Sequence, residues 1–178
     1  MRRWYRAEHY ARRVELIREY LPDAAVGADV IAGFPGESEA DHSSTMAFIE
    51  QMPFTYLHVF SYSKRPGTRA ATLPDEVPAA VIKQRARDLR ALGEAKAAAF
   101  RRSQIGRSLR VLTLRTEESG ASQTTPALSG NFLGVRVRGR WPSNLWLEIR
   151  VTAFVAPYLL GQVEGTQWNA VASHLRRI

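Results

Sequence analysis

Two segments of one design limit what this chain can fold into. AVGADVIAGFPGE, from Ala25 to Glu37, and YLHVFSYSKRPGTRA, from Tyr56 to Ala70, each run an apolar strand into a turn built on glycine and proline. Between them, Ser38 followed three residues later by Asp41 forms a capping box with a shortened acid. It opens a helix expected to bury Phe48, Ile49 and Met52 and to stop at Pro53. Strand, helix and strand in that order make a right-handed crossover with the two strands side by side and parallel. The nearly continuous apolar run from Ala25 to Phe34 predicts a strand buried on both faces. Parallel α/β architectures place chemistry at the carboxyl ends of their strands, so the two turns are where a site is expected.

Flanking patterns extend this unit. Tyr10, Val14, Ile17 and Leu21 recur at helical spacing opposite Arg12, Arg13 and Arg18, which predicts an amphipathic helix over Ala7–Leu21 ended by Pro22-Asp23. Pro74 to Pro78 sets up a long helix running to about Arg102, with Ile82, Ala86 and Leu89 inward and Arg101-Arg102 favourable against its dipole. Beyond Ile105-Gly106 the period falls to two. Ser108–Arg115, Leu128–Arg138, Leu145–Val155 and Tyr158–Val163 read as short strands of a small antiparallel barrel. The expected fold class is therefore α/β plus all-β, with residues 1–104 forming the α/β part, 105–165 the barrel and 166–178 a tail of no compelling pattern.

Composition narrows the function classes. No cysteine occurs among the 178 residues, so disulfides, thiolate nucleophiles and thiolate-held metals or clusters are excluded for this chain alone. No apolar run is long enough to cross a bilayer, no apolar leader follows MRRWYRAEHY, and no membrane partner is expected; the chain reads as cytoplasmic. The net charge of +8 is uneven. Residues 1–104 hold 16 Lys+Arg against 13 Asp+Glu, a difference of +3, whereas 105–178 hold 9 against 4, or +5, and all nine of those cations are arginine. Arginine's planar fork pairs with phosphate and stacks on bases, which suits nucleic acid; a genome rich in arginine codons is the other reading.

Each motif carries a functional and a plain structural reading. GFPGE lets backbone approach a ligand and offers N–H groups at a helix start, or is simply a tight strand-to-helix turn. Asp29, set in an apolar strand, needs a partner if buried, and that partner is a ligand or a neighbouring loop. SYSKRPGT at Ser61–Thr68 gathers hydroxyls and two cations suited to an anion, or is a solvated loop. The four histidines, His9, His42, His58 and His174, have no metal spacing, and His58 alone falls near an expected site.

Together these segments resemble the last part of the radical S-adenosylmethionine tRNA methylthiotransferases, and within them the enzymes acting on N6-threonylcarbamoyladenosine beside the anticodon. DVIAGFPGE resembles the fifth strand and turn of a partial (β/α)6 barrel, which implies cofactor binding by Asp29, Ile31, Gly33, Phe34 and Gly36. HVFSYSKRPGT resembles the sixth strand, which implies cofactor-side roles for His58, Phe60 and Tyr62 and substrate-side roles for Arg65 and Gly67. MRRWY resembles the segment after the fourth strand. Ile105 to about Glu164 resembles a TRAM domain, an OB-like RNA-binding barrel, best matched at NFLGVRVRG, which implies tRNA contacts at Phe132, Arg136, Arg138 and Arg140. The resemblance implies S-adenosylmethionine and two [4Fe–4S] clusters in the complete enzyme, whose six cysteine ligands this chain lacks. It is accordingly expected to be a C-terminal fragment, inactive alone and starting at an internal methionine, with tRNA as partner and with a separately encoded N-terminal half as a second one. The alternatives are a stand-alone RNA-binding module and a gene remnant without activity.

Overall fold

The computed structural model describes residues 6–115 and 123–164. The MRRWY segment, Glu117, Glu118 and the tail from Gly165 lie outside the described residues. Two compact units occur, one within residues 6–99 and one within 100–164.

The first unit is built from α1 (Ala7–Tyr20), β1 (Gly27–Ala32), α2 (Glu39–Gln51), β2 (Tyr56–Ser61), a short 3-10 turn (Arg69–Thr72) and most of α3 (Ala79–Arg102). β1 and β2 pair in parallel, in step from Gly27 opposite Tyr56 to Ala32 opposite Ser61. Ala28, Val30, Ala32, Leu57 and Val59 pack with Val14 of α1, Ile49 of α2 and Ala86 and Leu89 of α3 in a single core. Gly93 is buried on α3, where a β-carbon would come 3.1 Å from that of Leu57, so the small residue lets helix and strand approach.

This core occupies one face of the sheet only. Asp29 and Ile31 of β1 and Tyr56, His58 and Phe60 of β2 are exposed on the other, which overturns the expectation of a strand buried on both faces. The physical reason is that all three helices pack on the same side of the sheet, where their buried residues form one core with Ala28, Val30, Ala32, Leu57 and Val59. In α1, Val14 is buried and Tyr10 packs near the rings of Phe48 and Phe54, whereas Ile17 and Leu21 stand exposed. Arg18, expected on the wet side, is instead a clamp. Its guanidinium donates to the carbonyls of Pro22, Ala24 and Pro53 at 2.6–3.0 Å, tying the end of α1 to both loops beside the sheet.

The second unit is a closed barrel ordered β3 (Ser108–Thr113), β4 (Thr124–Ser129), β5 (Gly134–Arg138), β7 (Tyr158–Val163) and β6 (Trp146–Val155). Val111, Ala127, Val135, Val137, Ile149, Val151 and Leu159 fill it. Every pair is antiparallel except β5 with β7, which correct the expectation of a wholly antiparallel barrel. Parity decides this: five strands of alternating direction cannot close a ring without one parallel neighbour. The expected single strand Leu128–Arg138 is two strands joined by a turn at Gly130–Leu133, and β4 begins well before it. Two buried threonines pin the loop between β5 and β6. Thr113 Oγ1 donates to Pro142 O at 2.6 Å and accepts from Leu145 N at 2.8 Å, and Thr125 Oγ1 donates to Gly139 O and accepts from Trp141 N, each at 2.9 Å.

Candidate functional site

In the α/β unit the sheet face opposite the core stands open among the described residues. The register sets Gly27 beside Tyr56, Asp29 beside His58 and Ile31 beside Phe60, and in a strand these alternate positions share one face. Tyr56 lies across Gly27 so closely that a β-carbon there would come 2.2 Å from its ring, and its ring meets that of His58 edge-on at 5.2 Å. The face thus runs from an aromatic shelf through a carboxylate–imidazole step to an apolar end at Ile31 and Phe60. Of the eight residues expected on the cofactor side, Asp29, Ile31, His58 and Phe60 come together here. Asp29 is exposed, so burial does not oblige it to find a partner.

The turn after β1 is held from within. Gly33 has φ +78°, and a β-carbon would come 2.3 Å from Ile82 Cγ1, so both conformation and space require glycine. Its N–H donates to the Glu37 carboxylate. Gly36, at φ +84°, donates its N–H to Asp75 O at 2.9 Å. At the helix start Ser38 Oγ accepts from Asp41 N at 3.1 Å while Ser38 N donates to Asp41 Oδ2 at 2.9 Å. The Gly33 and Gly36 amides are therefore already engaged within the protein.

Arg85 completes this lock, and sequence reasoning missed it. Buried to 5% exposure on α3, it donates through Nη1 to Glu37 O at 2.8 Å and Glu37 Oε2 at 3.2 Å, and through Nη2 to Glu39 Oε2 at 3.1 Å. The signal was its position three residues after Ile82, on the stripe already assigned inward. Tyr56 was missed as well, although it lies two residues before His58 in the same alternation.

Phe34 and Tyr62 pair edge-on at 5.5 Å beyond the strand ends, joined through Tyr62 N donating to Ala32 O at 2.8 Å. The Tyr62 hydroxyl is buried with no hydrogen-bond partner among the described residues. Arg65 and Gly67 lie in an exposed loop: Arg65 O accepts from Thr68, and Gly67 has φ +79° with open space where a side chain would go. Nearby Lys64 pairs with Glu76, whose hydrogen bond raises the lysine pKa.

On the barrel, Arg136 and Arg138 project outward from β5 in alternation with the buried Val135 and Val137. Arg140 lies past the strand end, after Gly139 at φ +98°. The Arg136 guanidinium sits 4.8 Å over the Tyr158 ring. A second such pair, Arg110 at 4.6 Å over Trp146, joins β3 to β6 and was not foreseen. Phe132, in the turn between β4 and β5, is 81% exposed. Glu164 ties the barrel's ends by accepting from the Ser108 hydroxyl and Arg150 Nε, and these partners, Ser108 first, hold its carboxyl below the usual range. Among the described residues no cluster of three or more His, Asp or Glu could hold a metal ion, and no helix is long and apolar enough to cross a membrane.

No family model matches the chain. Among curated proteins it is similar to enzymes named tRNA-2-methylthio-N(6)-dimethylallyladenosine synthase. The protein of that name from Thermobifida fusca is 44% identical over 117 residues, covering 66% of this chain and 24% of the relative. That from Acidothermus cellulolyticus is 38% identical over 152 residues, covering 85% and 29%, and that from Sphingopyxis alaskensis is 34% identical over 161 residues, covering 83% and 36%. The dimethylallyl name in these relatives runs against the expected threonylcarbamoyl type, whose signal in this chain was never more than the shared motifs. This chain spans about a quarter to a third of the length of these relatives, and over that span its similarity is to enzymes that modify tRNA.

Proposed function

We propose that the chain supplies the cofactor-facing end and the RNA-contacting barrel of a tRNA methylthiotransferase acting on N6-dimethylallyladenosine. The similarity over up to 85% of its length to synthases of that product carries the reading, and the substrate in their name replaces the threonylcarbamoyl nucleoside. The α/β unit is read as the end of a radical S-adenosylmethionine barrel. S-adenosylmethionine suits the open sheet face chemically. Ile31 and Phe60 offer an apolar surface for an adenine, and Asp29 offers an acceptor for ribose hydroxyls or the methionyl ammonium. Gly33 and Gly36 would shape the turn rather than donate to the cofactor, since their amides are engaged.

The [4Fe–4S] clusters do not fit this chain, which has no cysteine to ligate them. Cysteines outside these 178 residues would have to bring them. Purified and reconstituted anaerobically with iron and sulfide, the chain should stay colourless and leave S-adenosylmethionine uncleaved. A stoichiometric cluster with reductive cleavage would overturn this division of labour.

The barrel is read as a TRAM-type tRNA surface, with Arg136 and Arg138 on phosphates. Mutating both to Ala should flatten the fall of log K against log salt for tRNA by about one to two units, since each phosphate contact contributes a slope of roughly 0.7–0.9. For the reaction itself, nucleosides from tRNA of cells lacking this gene should show 2-methylthio-N6-dimethylallyladenosine depleted and its unthiolated precursor accumulated. An unchanged nucleoside profile would leave the chain a binding module or an inactive remnant.

A further inference from the structure

Phe132 occupies a position where a ring has no structural use. Ser129 O accepts from Phe132 N at 2.9 Å, and Ser129 N donates to Leu133 O at 3.0 Å, so β4 and β5 are joined by a tight turn with Phe132 as its last residue. Phe132 has φ +60°, the left-handed conformation that a turn of this kind ordinarily gives to glycine. Its side chain is 81% exposed and belongs to neither core cluster. The turn is fixed without it: Ser129 Oγ donates to Asn131 Oδ1 at 2.6 Å and accepts from Leu133 N at 2.9 Å.

The surroundings indicate what the ring is for. On one side Gly130 N donates to Arg110 O at 3.3 Å, placing the turn beside the strand that carries the Arg110–Trp146 pair. On the other the turn runs into Gly134, where a β-carbon would come 3.1 Å from the Tyr158 ring, the ring under Arg136. The exposed Phe132 thus stands in a turn flanked on each side by an arginine placed over a partly exposed ring, Arg110 over Trp146 and Arg136 over Tyr158. Arg110, Arg136 and Arg138 have no carboxylate partner within ion-pairing distance among the described residues. A duplex presents phosphates and keeps its bases stacked inside, so it has little use for exposed rings. Unpaired nucleotides offer a base face to each ring and a phosphate to each cation.

We propose that this turn and its flanking pairs form a stacking platform for unpaired RNA bases, with Phe132 held in an unfavourable backbone conformation to present its ring. The proposal rests on the reading of the barrel as an RNA-binding surface and narrows it from tRNA in general to an unpaired loop. The strain is spent on ligand contact, in the way that backbone outliers mark binding sites.

The test uses the full chain with a short oligoadenylate carrying 2-aminopurine and an RNA duplex of matched length. The expected result is preference for the single strand, with 2-aminopurine quenched on binding. Phe132→Gly and Phe132→Asn, which suit the left-handed conformation, should keep or raise the melting temperature while weakening single-strand binding roughly tenfold or more and abolishing the quench. Phe132→Trp should retain both. The loss should persist across salt concentrations, unlike that of Arg138→Ala. If Phe132→Asn binds the single strand as wild type does, or loses duplex affinity equally, the platform is wrong though the RNA surface stands. If wild type binds neither RNA, the RNA-binding reading itself fails; retention on anionic vesicles instead would assign the face to a lipid surface.

Discussion

At the scale of single residues the first unit turns on Arg85. Its guanidinium is buried against Glu37, whose side chain is only 12% exposed, and Glu37 in turn holds Gly33 N–H. Removing one partner of a buried, hydrogen-bonded ion pair costs about 3–5 kcal/mol, most of it the penalty of leaving the other charge unpaired. Arg85→Ala should therefore cost the first unit a few kcal/mol, visible as a lower urea midpoint. Adding Glu37→Gln should recover part of it, and strict additivity of the two changes would show the pair to be uncoupled. Two glycines in one turn should differ. Gly33→Ala meets Ile82 as well as an unfavourable φ, whereas Gly36→Ala has open space and bears only the backbone cost, about 1–2 kcal/mol. Equal losses by thermal unfolding would contradict the packing assigned to Gly33, and Ile82→Ala should relieve Gly33→Ala but not Gly36→Ala.

At the scale of elements, α2 is fixed at both ends by side chains. At its start the Ser38 hydroxyl, followed by the Ser38 backbone N–H, holds the Asp41 carboxyl below its usual range. A carboxyl whose folded pKa is depressed stabilises the fold above its unfolded pKa and loses that contribution as pH falls through the folded value, so the cap is an acid-labile element. NMR titration should place the Asp41 midpoint below that of an ordinary aspartate, and Ser38→Ala should return it upward; no movement in Ser38→Ala would refute the assigned cause. At the other end Lys96 of α3 donates to Glu50 O at 3.0 Å and Met52 O at 2.8 Å, and its partial burial lowers its pKa. Here the ammonium satisfies carbonyls that the helix cannot bond itself. The two ends follow different chemistry, a local capping box and a long-range lysine, and only the first was written into a short stretch of sequence.

At the scale of the whole molecule the two units differ in how their strands are paired. Among the described residues every barrel strand has two hydrogen-bonded neighbours, whereas β1 and β2 have only each other. An isolated two-stranded pair is marginal without the helices that cover one of its faces. In hydrogen exchange of the full chain, amides of β5 and β6 should be the slowest and those of β1 and β2 should exchange first among the strands. Slower exchange in β1 and β2 would mean that the helix-packed core outweighs closure of the barrel.

Sequence by itself determined whatever depends on near neighbours. The capping box at Ser38, the stop at Pro53, the crossover from β1 to β2 and the change of period after Gly106 all follow from local steric and hydrogen-bonding rules, and each was legible. Asp29, Ile31, His58 and Phe60 were named as a group through the family resemblance alone, and it is the parallel register that sets them on one face. Tertiary structure alone decided which side is open. That depends on where three helices put their apolar residues, and an apolar run such as Ala25–Phe34 reads alike whether one face is covered or both. Arg85 was hidden for the same reason, since a charged residue on an inward stripe is intelligible only once the carboxylates it meets, 46 to 48 positions away, are known. The parallel pair β5–β7 follows from the closure of five strands, and Phe132's exposed ring on a left-handed backbone follows from a turn whose φ values no residue string prints. Distance along the chain separates the two kinds of fact: what neighbours fix is written in the sequence, and what closure and burial fix exists only in the fold.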